Sequence, residues 1–116
     1  MPQKSLLTLA PKSEFTGTVL VPSPDRAPDE VAFTFTYRDR DALDKWVADL
    51  EHAEVVPGES PTDADVRMVM SCAVGWELQE PFTPANVRVL LVEHPGTPIN
   101  VYQTYVRLSR VGREKN

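Results

Sequence analysis

The chain has 116 residues, 41% hydrophobic and 25% charged, with a formal net charge of −5 and a single cysteine, Cys72. That balance belongs to one folded domain with a real core rather than to a disordered chain. It excludes an intramolecular disulfide, supplies too little sulfur for a zinc or iron–sulfur site, and argues against nucleic acid as a partner, because phosphate binding needs clustered Lys and Arg.

Residues 1–13 carry no clear period and read as a flexible N-terminal arm; residues 14–116 read as a single α+β domain. Residues 1–10 lack the apolar core of a signal peptide. No stretch approaches the roughly 20 apolar residues that cross a bilayer, so a cytoplasmic location without membrane contact is expected.

From Phe15 the pattern alternates: Phe15, Gly17, Val19 and Val21 share one face of a strand. The proline-rich run Pro22–Asp29 reads as a loop longer than a two-residue hairpin turn, since proline lacks an N–H donor. Val31, Phe33, Phe35 and Tyr37 then mark a second strand. The two form an antiparallel β-ribbon over residues 15–38 with one apolar face. Two strands alone are marginal in water, so helices or a partner strand must cover that face.

Four α-helices are expected over residues 40–110. The first follows Asp39 or Asp41 as N-cap and carries Leu43, Trp46, Val47 and Leu50 at helical spacing, with Pro57-Gly58 ending that stretch. The second starts at Thr62 and bears the stripe Val66, Val69, Met70 and Ala73, reaching toward Trp76. The third has Thr83 as N-cap, Pro84 at its first position, Val87, Leu90 and Leu91 inside, and His94-Pro95-Gly96 as its stop. Thr97-Pro98 repeats that start for the fourth, whose lining is Val101, Tyr102, Tyr105 and Leu108.

Catalytic and metal constellations fail on spacing. Cys72 lies mid-helix among apolar residues, and His94 reads as a turn or cap residue rather than a base. His52 and His94 lack ligand spacing, and Asp39, Asp41 and Asp44 lack the glycine and later glutamate of a calcium loop. The isolated glycines form no phosphate loop, and Gly75 beside Trp76 reads as a turn or as room for a neighbouring ring. Arg107, Arg110, Arg113 and Lys115 sit late in a helix, where positive charge complements the dipole. The expectation is a protein that is not an enzyme and needs no cofactor and no metal. The aromatics Trp76, Phe82, Tyr102 and Tyr105 exceed what short helices obviously bury, so some should line an interface.

The run Trp76-Glu77-Leu78, Phe82-Thr83-Pro84-Ala85-Asn86-Val87, Leu90-Leu91, Pro95-Gly96, Tyr102, Tyr105 and the closing Arg113-Glu114-Lys115-Asn116 resembles the phage tail assembly chaperone family, over residues 65–116. The resemblance implies a protein of the bacterial host cytoplasm, absent from the mature virion of a long-tailed phage. It would bind the tape measure protein, keep it soluble, and help recruit tail tube subunits. An apolar groove and an acidic exterior suit that task. The residues expected to bind protein are Val66, Val69, Met70, Ala73, Trp76, Phe82, Tyr102 and Tyr105, with all but Phe82 and Tyr102 supplying the groove. Self-association into a homo-oligomer is compatible with an exposed ribbon edge. A structural virion subunit, such as a tail-terminator or head–tail connector protein, is the alternative of the same size and class. The resemblance also implies a programmed −1 frameshift; Glu114-Lys115-Asn116 can be encoded by a slippery heptamer, which the gene sequence would settle.

Overall fold

Backbone hydrogen bonding in the hairpin begins beside Ser13, whose carbonyl accepts from the Tyr37 N–H at 2.9 Å. The computed structural model describes Leu9 and residues 13–112. The expected arm over 1–13, apart from Leu9 and Ser13, and the frameshift position at the last residues lie outside them. Strand β1 (Glu14–Ser23) pairs antiparallel with β2 (Arg26–Thr36), with Phe15 opposite Phe35 and Val19 opposite Val31. Alternation places Gly17, Val19, Val21, Val31, Phe33 and Phe35 on the buried face, as their spacing predicts.

The link between these strands corrects the expected long loop: it is the two-residue turn Pro24-Asp25, with Ser23 opposite Arg26. Register shifts between Val21 and Ser23, so Pro22 faces both Ala27 and Pro28. A bulge is where a sheet tolerates residues without an N–H donor. The prolines that read as loop punctuation thus sit inside an extended hairpin.

Helix α1 (Arg40–Glu51) starts at Asp39, whose Oδ1 accepts from the Ala42 N–H at 2.9 Å, satisfying one orphan donor of the first turn. It ends well before Pro57-Gly58, at the cap residue His52. Helix α2 (Pro61–Cys72) is capped by Ser60, not Thr62. Ser60 Oγ accepts from the Asp63 N–H and the Ser60 N–H donates to Asp63 Oδ2, both at 3.1 Å, a reciprocal capping box that leaves Pro61 at the first helical position.

The stripe expected to carry α2 toward Trp76 breaks at Ala73. Residues Ala73–Trp76 form a third strand, β3, antiparallel to β2, so the sheet has three strands in the order β1-β2-β3 rather than two. The Glu77 N–H extends the pairing to Ala32 O at 3.0 Å, and Glu77 Oε1 accepts from the Ala32 N–H at 3.0 Å. A side-chain carbon added at Gly75 would meet nothing nearer than Thr34 at 3.9 Å, so admitting a ring does not account for this glycine; it occupies a ladder position opposite Thr34.

Helix α3 (Pro84–Glu93) has the expected Thr83 cap and His94 stop. Helix α4 (Thr97–Val111) does not repeat that start: its N-cap is Gly96, without a side-chain cap bond. Thr97 is buried at the first helical position instead. Helix α4 lies along β1 and covers the apolar sheet face. A side-chain carbon at Gly17 would overlap Leu108 Cδ1 and come within 3.2 Å of the Phe35 ring, so Gly17 sets how closely α4 approaches the hairpin. Near its other end, Asn100 Nδ2 donates to Leu20 O at 2.8 Å. His94 Nδ1 lies 3.0 Å from Pro22 O; since a carbonyl only accepts, that nitrogen carries the proton. No helix among the described residues is long and apolar enough to cross a membrane.

Candidate functional site

The centre of the molecule is aromatic. Tyr105 on α4 contacts Phe15, Phe35 and Trp46, with ring centroids 5.9, 5.3 and 5.0 Å away. Its hydroxyl donates to Thr36 O at 2.9 Å and accepts from Arg38 Nη1 at 3.0 Å. Burial pushes this phenol above its ordinary pKa, with Arg38 opposing the rise. Arg38 also donates from Nη2 to Ser71 O at 3.0 Å, meeting an orphan carbonyl of the last turn of α2, where a cation opposes the helix dipole. Its guanidinium lies over the Trp46 ring at 5.5 Å. Arg38 therefore ties β2, α1, α2 and α4 together. A charged residue just after a strand gives no sequence cue to that role.

Beside this centre, α1 and α2 flank an opening. One bond spans them at the base, from Trp46 Nε1 to Ser71 Oγ at 3.0 Å. Between them opens a groove of about 730 Å³. Trp46, Leu50 and Ala53 form one wall and Ala64, Met68 and Ser71 the other. Pro95, Pro98, Ile99 and Tyr102 close one end, where α4 begins. Trp46 and Tyr102 stack at 5.8 Å and 22°, so apolar ring surface lines the opening. Ile99 is 53% exposed there, although it is a large aliphatic residue with no polar function.

The charged lining is mostly acidic: Asp49 and Glu51 on α1, Asp65 on α2, against Arg67 alone. Arg67 is held by Glu59 at 2.6 and 3.3 Å, which raises its pKa. Asp49 pairs with the exposed Lys45 at 2.8 Å. Burial pushes the Asp65 carboxyl upward.

The eight residues expected to bind protein fall into separate places. Val69, Ala73 and Tyr105 are core residues. Val66, Met70, Trp76, Phe82 and Tyr102 are partly buried and pack against that core. Trp76 and Phe82 meet edge to face at 5.1 Å beside β3, with Trp76 Nε1 bonded to Glu80 O at 2.7 Å. Of the eight, Tyr102 lines the groove. Its other walls come from Leu50, Met68, Pro95, Pro98 and Ile99, which sequence reading assigned to no site. The one available signal was Ile99, an aliphatic residue off the buried stripe of α4.

Cys72 is fully buried at the end of α2, and burial pushes its thiol up to about 12. His52 and His94 are helix C-caps. Among the described residues, no group of three or more His, Cys, Asp and Glu side chains is placed to hold a metal ion. The arrangement offers shape and apolar contact.

No curated protein and no solved structure matches the chain. A family model described as phage tail assembly chaperone matches residues 3–116, extending the resemblance from the helical half through the N-terminal hairpin. With nearly its whole length matched, the chain belongs to the phage tail assembly chaperone family.

Proposed function

We propose that the chain binds the tape measure protein, receiving an apolar helical stripe in the groove between α1 and α2. The observation that carries this reading is the groove itself: apolar walls contributed by α1 and α2, with Ile99 and Tyr102 presented at its end. Helices dock in such grooves through residues at i, i+3, i+4 and i+7. The task is binding rather than catalysis, performed in the host cytoplasm before tail tube subunits assemble around the partner. The complex then helps recruit those subunits, and the chaperone is left out of the finished virion.

Co-expression with the tape measure protein tests this. The native chain should keep the partner soluble and co-purify with it. The pair Met68→Ser and Ile99→Ser should lower recovery about tenfold, as losing two apolar anchors at a docked helix implies, with circular dichroism reporting an intact fold. Full recovery with both substitutions overturns the groove as the docking site. Stable retention of the chain in purified particles overturns the chaperone cycle in favour of a structural tail subunit.

A further inference from the structure

The groove has an electrical polarity as well as a shape. Three carboxylates, Asp49, Glu51 and Asp65, share it with one guanidinium, Arg67. Arg67 is already neutralised by the two oxygens of Glu59. Among the described residues Asp49 is countered by Lys45 alone, across an exposed pair whose side chains keep 65% and 76% of their accessibility, a contact worth little in water. Glu51 and Asp65 take part in no ion pair among the described residues. Asp65 lies beside Ala64 and Met68 on a wall where it is partly withdrawn from solvent.

We infer that the groove selects a basic amphipathic helix, one whose apolar stripe is flanked by Lys or Arg. This rests on the groove being the docking site and adds the chemistry of what docks. An apolar stripe covering Leu50, Met68, Ile99 and Tyr102 would withdraw Asp65 and Glu51 further from water. Burying a carboxylate without a partner is costly, whereas a flanking cation makes a charge-assisted contact there. The same carboxylates disfavour a helix flanked by Glu or Asp, so the rim discriminates by repulsion as well as attraction. The exposed positions of Glu51 and Asp49 at the mouth also favour fast capture of a cationic helix at low ionic strength.

The test uses the full chain and three helical peptides with one apolar stripe and Lys, Gln or Glu at the flanking positions, measured by titration calorimetry with backbone shift mapping. The Lys peptide should bind about tenfold more tightly than the Glu peptide, as a few partly exposed charge contacts allow. That ratio should shrink several-fold in roughly 0.5 M salt, where screening is short-ranged, and in the Asp65→Asn, Glu51→Gln chain. Equal affinity for all three peptides at the groove overturns the charge selection and leaves the groove reading standing. Binding of the Lys peptide with shifts confined to another surface overturns both. A dimer that excludes every peptide and dissociates on Ile99→Ser also overturns the inference, since a second copy would then be the occupant.

Discussion

Tyr102 and Tyr105 lie one turn apart on α4 and both contact Trp46, yet they finish in opposite environments. Tyr105 is completely buried, ringed by Phe15 and Phe35, with its hydroxyl satisfied by Thr36 and Arg38. Tyr102 keeps part of its surface open and lines the groove. The difference comes from what faces each residue. Phe15 and Phe35 of the sheet close over the side of α4 that bears Tyr105, whereas the groove between α1 and α2 stays open beside Tyr102. A tyrosine thus becomes structural or available according to whether its neighbours close over it.

The sharpest way to break this contrast is truncation. Tyr105→Ala should cost about 3–5 kcal/mol of unfolding free energy, combining a large cavity with the orphaned Thr36 carbonyl. Tyr102→Ala should cost about 1 kcal/mol, because much of its ring is not removed from water on folding. Equal losses in chemical denaturation would erase the distinction. A smaller effect is expected from crowding the sealed side: Gly17→Val forces Leu108 and Phe35 apart and should cost about 1–3 kcal/mol, read as a lowered denaturation midpoint.

The smallest effect concerns acid and should be confined to the start of α2, where Asp63 pairs with Arg88 of α3. The Ser60 N–H and hydroxyl favour the ionised form of Asp63, and Arg88 adds to this, so the folded pKa lies below the ordinary value of 3.8. The stabilisation is therefore complete above that ordinary value and is lost as pH falls through the folded one. Amide exchange across the first turn of α2 should quicken in that range, and Asp63→Asn should remove the dependence. On the sealed side the Tyr105 phenol, already pushed above its ordinary value, does not titrate in acid.

The hairpin was legible because its alternation matches one buried face, and Thr83-Pro84 and His94-Pro95-Gly96 are end signals whose chemistry is local. The third strand was not. Ala73–Trp76 is only four residues long and continues the apolar stripe of α2, so periodicity favours the helix until β2 offers hydrogen bonds. Ser60 and Thr62 both qualify as caps, and Asp63 decides between them by its reciprocal bond to Ser60. The short turn is masked in the sequence by its prolines, because a bulge excuses Pro22 and Pro28 from the ladder. The groove was partly legible through Tyr102. Its remaining walls belong to α1, α2 and the start of α4, and a gap between helices leaves no periodic trace in any of them.

Cys72 has a practical consequence. As the sole thiol of the chain, buried and held protonated at any working pH, it leaves the folded protein silent toward alkylating dyes. A cysteine introduced at Ile99 would then be the one position to take a label. A fluorophore placed there would report occupancy of the groove mouth directly, without first removing a native sulfur from the core.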